Sequence, residues 1–285
     1  MLLAALAAAA RPAAAQLPLA PVWDSVGTIL QTPALPADGY VRYSLPRRDL
    51  VVRLGNVPLA VPLAAGGWAG FAGTAREAMV MGDLVVTGAE LGPVEAELLR
   101  QRFDLSGVHD HLVGEEPRLT YVHFHGEGAP VDLAERLDTV LARTRTPRPV
   151  TAVTAPPVTI DTALVFDSLG ARGRAQGSVA QLAFQLVRGK VRWHGRALVP
   201  ALALATPVSI ELVRPGRAVA TGDFAVLAPQ VEPVLRAMAA HGIVVTALHG
   251  HLVGESPPVY FIHFWGDGPL GDVVRGIRSA LDAAR

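Results

Sequence analysis

Seven of the nine histidines in this 285-residue chain fall in two copies of one short segment. The first copy reads HDHLVGEEPRLTYVHFHGEG over residues 109–128, and the second reads HGHLVGESPPVYFIHFWGDG over residues 249–268. Imidazole is a common ligand of zinc, and it also suits copper, iron and nickel. The repeated clustering of this side chain therefore makes metal binding the first chemistry to consider.

The spacing of the histidines predicts that they share one face of a β-hairpin. Apolar residues alternate on both sides of a short G-E-x-P break, which is typical of two strands joined by a turn. Alternate residues of a strand project to the same face, so the two histidines of each H-x-H pair lie together. If the hairpin is centred on Pro117, His111 lies opposite His123 and His109 lies opposite His125. A slip of one residue would turn the return-strand histidine to the other face.

This arrangement predicts a mononuclear metal site in each copy, for zinc or another divalent transition metal. The candidate ligands are His109, His111, His123 and His125 in the first copy and His249, His251 and His263 in the second. Trp265 stands where the first copy has His125. The two predicted sites therefore differ by one imidazole.

Four acidic residues near the histidines are candidates for a second ligand shell or a general base. They are Glu115, Glu255, Glu127 and Asp267. No catalytic residue is identified, and the sequence leaves open whether the protein is an enzyme, because a ligand set without a visible substrate pocket does not name a reaction. Serine hydrolase chemistry has no support, since no serine stands in a nucleophile-elbow context. Neither a nucleotide nor a flavin is expected, since no G-x-G-x-x-G or Walker pattern opens a helix.

Two other interpretations of the histidines stay open. A groove lined by imidazoles could bind a polymer of the cell envelope or a small polar ligand without a metal. The histidines could also serve only as hydrogen-bonding members of a half-buried sheet that was duplicated. The dipeptides Gly82-Asp83 and Gly222-Asp223 are interpreted as strand ends or bulges.

The whole chain is duplicated, and this sets its domain organisation. Residues Gly82 to Gly128 match residues 140 positions further along without a gap, so that residue 109 falls on residue 249. We predict a first domain over residues 16–144, a Pro/Thr-rich linker over residues 145–159 and a second domain over residues 160–285. Each copy reads as strand, helix, strand, strand and helix, with further strands upstream. This order predicts an α+β fold with helices on one face of an antiparallel sheet, ferredoxin-like in outline.

Composition limits the partners and the location. The chain is 51% hydrophobic and 18% charged, which excludes a disordered protein, and its zero net charge without a basic cluster argues against nucleic acid. Residues 1–15 form an apolar run that ends in A-x-A, which predicts an export signal and a secreted or periplasmic protein. The run is too short for a membrane span, and no transmembrane segment is expected in the mature chain. The absence of cysteine excludes a lipid anchor on that residue.

The quoted motifs also carry a family resemblance. A Gly-Asp pair, a Pro-Val helix segment, H-x-H-L-x-G-E-x-P and Y/F-x-H-F-x-G-x-G together resemble the LppY/LpqO-type family of bacterial exported proteins, a domain of unknown function. The resemblance implies an envelope or secreted protein, and a peptidoglycan-binding label on some relatives implies a cell-envelope component as the partner. This chain departs from the lipoprotein members because it lacks the lipobox cysteine. The characteristic histidines carry over as His109, His111, His123, His249, His251 and His263.

Overall fold

The computed structural model describes residues 20–285 of the chain. The segment 1–15, predicted as an export signal, lies outside the described residues. Within residues 20–285, every helix is too short or too polar to cross a lipid bilayer.

The first copy contains four helices and nine strands within the described residues. In chain order they are α1 Pro21–Leu30, β1 Leu35–Ala37, β2 Tyr40–Pro46, β3 Arg53–Leu54, β4 Val57–Pro58, α2 Val61–Ala64, β5 Gly66–Gly73, β6 Ala78–Thr87, α3 Gly88–Arg100, β7 Asp104–His109, β8 Glu115–Glu116, β9 Leu119–Gly128 and α4 Pro130–Leu141.

The second copy repeats this order with one strand fewer. Its elements are α5 Thr162–Leu169, β10 Gly173–Gln176, β11 Val179–Gln185, β12 Arg192–Trp193, β13 Arg196–Ala197, α6 Pro200–Ala203, β14 Ala205–Arg214, β15 Arg217–Leu227, α7 Ala228–Ala240, β16 Val244–Gly250, β17 Val259–Pro269 and α8 Leu270–Ala283.

Each copy builds one six-stranded antiparallel sheet. The strand orders are β1-β2-β5-β6-β9-β7 in the first copy and β10-β11-β14-β15-β17-β16 in the second, so equivalent strands occupy equivalent places. The three long helices of each copy pack on one face of its own sheet. The prediction of two tandem α+β domains, each an antiparallel sheet covered by helices, is confirmed.

The other faces of the two sheets pack against each other. One apolar cluster joins Met79 and Met81 of the first sheet to Ala225 and Phe261 of the second. The molecule is therefore layered as helices, sheet, sheet and helices. Burial of both faces explains why β6 reads AMVMGDLVVT, with all but its last residue buried, instead of alternating apolar and polar residues.

Each domain also extends a short arm, a two-stranded hairpin followed by one helical turn, over the sheet of the other. Leu63 of α2 packs against Val179 and Val219 of the second domain. In the reverse direction Leu202 of α6 covers the first sheet so closely that a Cβ atom on Gly70 would lie 2.4 Å from its Cδ1. The exchanged arms hold the two sheets face to face.

The helix that follows the central strand of each copy begins earlier than the position of its proline indicates. Pro93 and Pro233 lie inside α3 and α7, which begin at Gly88 and Ala228. The start is fixed upstream by a side chain three residues beyond the N-cap. In α3, Glu90 accepts a hydrogen bond from the Thr87 backbone N–H at 2.9 Å, and in α7 a glutamine takes the same place.

That glutamine is Gln230, whose Oε1 accepts from the Leu227 backbone N–H at 2.7 Å. Both contacts satisfy an N–H at the point where the strand ends and the helix begins. The central strand of each copy is therefore anchored at its carboxyl end.

Candidate metal centre

The histidine hairpin of the first copy pairs in a register different from the one predicted. Gly107 lies opposite His123, and His109 lies opposite Tyr121 instead of His125. The pairing shifts by an even number of residues, so His109 and His123 still share a face as diagonal neighbours. The second copy has the same register, with Ala247 opposite His263 and His249 opposite Phe261.

The turn explains the difference. Strand β7 ends at His109, so His111 lies in the turn and not on the strand. The next two residues with strand geometry, Glu115 and Glu116, pair with the distant strand β3 and do not extend the hairpin. A pairing with a remote part of the chain therefore sets the length of the turn and, with it, the register.

The rings of His109 and His123 meet edge to edge. Their Nε2 atoms are 2.6 Å apart. The Nδ1 atom of His109 lies 3.2 Å from the Asp110 carbonyl oxygen, and the Nδ1 atom of His123 is bonded to Oδ1 of the buried Asp83. Carbonyl and carboxylate oxygens only accept hydrogen bonds, so both rings carry their proton on Nδ1 and present the Nε2 lone pair.

The second copy repeats the pair. The Nε2 atoms of His249 and His263 are 2.7 Å apart, and Nδ1 of His249 lies 2.8 Å from the Gly250 carbonyl oxygen. Oδ1 of Asp223 lies 2.6 Å from Nδ1 of His263. This last contact is close, but its direction does not give a well-formed hydrogen bond.

The two pairs form a single cluster across the domain interface. The ring centroids of His109 and His249 are 3.8 Å apart. The return-strand histidine of each copy contacts the turn histidine of the other, with centroid distances of 4.0 Å for His263 and His111 and 3.7 Å for His123 and His251. The structure thus shows one shared cluster where the sequence suggested a separate group of imidazoles in each copy.

Three overlapping sets of side chains bring their ligand atoms within 4.8 Å of one another. They are His109, His123 and His249; His109, His111 and His263; and Asp83, His123 and His251. Every set draws residues from both domains. The geometry of the cluster therefore depends on how the two domains dock.

A reciprocal pair of hydrogen bonds fixes this docking at the cluster. Ser106 Oγ donates to the carbonyl oxygen of His251 at 2.7 Å, and Thr246 Oγ1 donates to the carbonyl oxygen of His111 at 2.6 Å. Ser106 and Thr246 are the bulged residues of β7 and β16, where each strand breaks its register. A β-bulge changes the direction of a side chain, and here each bulge directs a hydroxyl group towards the opposite domain.

Aromatic rings orient the turn histidines. Tyr121 stacks on His111 with a centroid distance of 3.4 Å, and Phe261 stacks on His251 at 4.1 Å. Each aromatic residue lies opposite the first histidine of its own hairpin. The conformations of His111 and His251 are therefore set by packing.

Burial keeps most of the cluster neutral. It lowers the pKa of His109 to about 3, and it holds the pKa of His111, His123 and His251 well below the usual range of histidine. Neighbouring imidazoles lower these pKa values further, because two cationic rings would repel. Nε2 of His111 and both ring nitrogens of His251 are buried without a hydrogen-bond partner. Neutral rings with free nitrogens are the form in which histidine binds a metal.

His125 stands apart from these sets. Its Nδ1 atom lies 3.0 Å from Ser106 Oγ, and its ring packs 5.6 Å from the ring of Trp193 in the other domain. Its counterpart Trp265 packs beside Leu63 in the interface. The structure therefore places this position in the contact between domains.

The four acidic residues chosen from the sequence bond elsewhere. Glu115 and Glu255 accept hydrogen bonds from backbone N–H groups within their own turns, at 3.2 and 3.0 Å. Glu127 lies 3.4 Å from Arg196, and Asp267 forms a 2.8 Å ion pair with Arg217. These four contacts lie outside the histidine cluster.

The carboxylates that do reach the cluster belong to the two Gly-Asp dipeptides. Asp83 and Asp223 lie mid-strand, directly opposite His123 and His263, so the interpretation of these dipeptides as strand ends or bulges is wrong. A Cβ atom at Gly82 would lie 2.2 Å from the Trp68 carbonyl oxygen, which explains the glycine. The signal available in the sequence was that both dipeptides keep the same distance from the return-strand histidine in the two copies.

The family described as Domain of Unknown Function (DUF1259) matches residues 24–143 and 163–283. The chain belongs to this family. Each DUF1259 domain contributes one histidine hairpin and one Gly-Asp strand, so the cluster requires both domains. No curated protein matches the chain.

Proposed function

We propose that the protein binds a divalent transition-metal ion in the histidine cluster, with ligands from both DUF1259 domains. Zinc is the first candidate, and copper, iron and nickel suit the same donors. We also propose that, within the DUF1259 family, the protein belongs to the LppY/LpqO-type group that its motifs resemble.

One observation carries the proposal. In each domain two imidazoles present their Nε2 atoms to each other at 2.6 and 2.7 Å. In the first domain, oxygen atoms accept hydrogen bonds from Nδ1 of His109 and of His123. The Nε2 atoms of these two rings therefore carry no proton, and each presents a lone pair. Two lone pairs at this distance repel, and burial opposes a shared proton by lowering the pKa of both rings. A cation between the nitrogens removes the repulsion.

The donor set fits such an ion. Zinc binds imidazole nitrogen at about 2.0–2.1 Å, so two ligand nitrogens of a tetrahedral ion lie ~3.3 Å apart. The rings of each pair therefore need to separate by less than about 1 Å to hold such an ion. The unpartnered nitrogens of His111 and His251 supply further donors. Asp83 and Asp223 orient the return-strand histidines, as carboxylates do behind metal-binding imidazoles.

An ion held by imidazoles with one open position supplies a Lewis acid and lowers the pKa of bound water. The protein's own residues hold the donors neutral, fix their tautomers and keep the cluster between two sheets. These properties suit storage, sensing or a hydrolytic step alike.

We further propose that the protein works outside the cytoplasm, secreted or periplasmic, with a cell-envelope component as its partner. The support is the apolar segment 1–15 and the quoted resemblance to exported proteins. Detection of the mature chain in the periplasmic or culture fraction tests this part.

Metal analysis of protein purified without a histidine tag tests the main proposal. After incubation with zinc or copper and removal of free ion, the protein is expected to hold at least one equivalent. The variant H109A/H123A, which removes a member of each of the three sets, is expected to hold none. The matched control is H241A, because His241 is an exposed histidine outside the cluster. An intact protein without stoichiometric metal would contradict the proposal and favour the metal-free ligand groove.

A further inference from the structure

A cleft of about 1010 Å³ opens between the two sheets and reaches the histidine cluster. The linker residues Val153 and Pro156 line the cleft, as do His111, Tyr121 and Asp223. Ligand sites for small molecules commonly enclose about 300–1,000 Å³. The cleft is therefore large enough for a small organic molecule that touches the cluster.

The charges that line the cleft are unbalanced. Three arginines, Arg42, Arg48 and Arg174, face one acidic residue, Asp223, which lies against His263. The chain as a whole has no net charge, so this excess is local. Low-dielectric walls strengthen the positive field of such a cleft, and this field attracts anions.

Two of the arginines line the cleft close to each other. The Arg42 guanidinium lies 4.4 Å from the ring centre of Trp68, which fixes its plane, and it also interacts with Tyr40. Arg174 is exposed and lies near enough to lower the pKa of Arg42, although burial is the larger cause. Arg48 is engaged in a 2.9 Å hydrogen bond to the Thr151 carbonyl oxygen.

Arg42 is also connected to the cluster. The ring on which it stacks, Trp68, donates from Nε1 to Asp83 Oδ2 at 2.9 Å, and Asp83 holds His123. An anion bound at Arg42 would therefore lie one side chain away from a carboxylate that orients a candidate ligand.

The remaining walls are mixed. Ser44, Gln181 and Ser209 offer polar groups, and Val61 and Leu63 offer apolar surface. A guanidinium group can bind two oxygens of a phosphate or a carboxylate at once, whereas apolar walls favour carbon atoms. The lining fits an organic anion better than a bare inorganic ion.

We propose that the cleft binds an organic anion bearing phosphate or carboxylate, with its charge held by Arg42 and Arg174 and its other end at His111. The contact with a metal at His111 rests on the proposed function; the binding of the charged group by the arginines does not.

Calorimetric titration tests the charged part with two probes. Inorganic pyrophosphate represents phosphate and citrate represents carboxylate, and each is titrated into metal-free protein, because both probes chelate divalent metal ions. At least one probe is expected to bind. Its Kd is expected to rise at least about tenfold in R42Q/R174Q, which corresponds to the loss of at least one charge-assisted contact. Added salt is expected to weaken the binding. The probe that binds more tightly identifies the charged group.

Controls separate the possible failures. R174E changes only an exposed residue and must weaken binding even if R42Q/R174Q is poorly folded, while R236Q, on the exposed side of α7, must not. Binding of neither probe, or equal affinity in R174E and the unchanged protein, overturns the inference. If the protein takes up no metal in the metal analysis but binds a probe through its arginines, this inference stands and the proposed metal function is refuted.

Discussion

Replacement of Asp83 by asparagine is expected to weaken metal binding without unfolding the protein. The side chain is buried and makes two contacts: Oδ1 holds Nδ1 of His123, and Oδ2 accepts from Trp68 Nε1 at 2.9 Å. Asparagine keeps the shape but has one oxygen. If that oxygen stays with Trp68, the amide N–H₂ group faces Nδ1 of His123 and forces the ring proton onto Nε2, the atom that would bind the metal.

The loss of an orienting partner behind a metal ligand typically costs 10- to 100-fold in affinity, about 1.4–2.7 kcal/mol. We expect D83N to fall in this range. D223N should lose less, because the Asp223 side chain is 15% exposed against 8% for Asp83 and its contact with His263 is poorly directed. D267N is the matched control, since Asp267 pairs with Arg217 at the surface.

The assay is a competition titration of folded protein against a chromogenic chelator at neutral pH, with circular dichroism as the check on folding. Unchanged affinity in D83N would refute the assignment of Asp83 as the residue that orients His123. An equal loss in D267N would refute it too, because that loss could not come from the cluster.

Three further predictions follow from the same contacts. Burial lowers the pKa of His125 to about 4, so this residue alone should cost metal-free protein about 3 kcal/mol of stability as the pH falls from 6.5 towards 4, because the unfolded chain binds the proton first. The buried histidines of the cluster, whose pKa values are also lowered, add to the loss. Urea unfolding at several pH values measures the loss, and a flat profile would contradict it. G107A should weaken metal binding, because the new Cβ would lie 2.5 Å from Cδ2 of His123 and displace its ring. An unchanged affinity in chelator competition would count against the role of the His109 and His123 pair. The variant S106A/T246V removes both interdomain hydrogen bonds and should lower the free energy of unfolding by about 1–3 kcal/mol in total. Urea unfolding measures this free energy, and an unchanged value would contradict the prediction.

The parts of the fold that depend on local patterns were predictable. The duplication is visible as a gapless offset, and alternation around the histidines gives the strands of each hairpin. The continuous apolar run of β6 also carries the information that both faces of the sheet are covered.

The parts that depend on distant contacts were not predictable. The register of the first hairpin is set where Glu115 and Glu116 pair with Arg53 and Leu54, a contact that no local pattern reveals. The meeting of His111 with His263 depends on the docking of two sheets, which is decided by arms such as α2 and α6. The carboxylate partners were missed because Gly-Asp is more often a turn than a mid-strand pair.

The sharing of one metal centre by both domains is tested most directly by the metal content of H109A, H249A and H109A/H249A, measured side by side on folded protein. If one ion is held by His109, His123 and His249, the set that contains both substituted residues, either single substitution removes that ion, and the double variant holds no less metal than each single variant. If each single variant instead lost half of the metal and the two losses added to give the double variant, the domains would hold separate ions and the shared centre would be refuted.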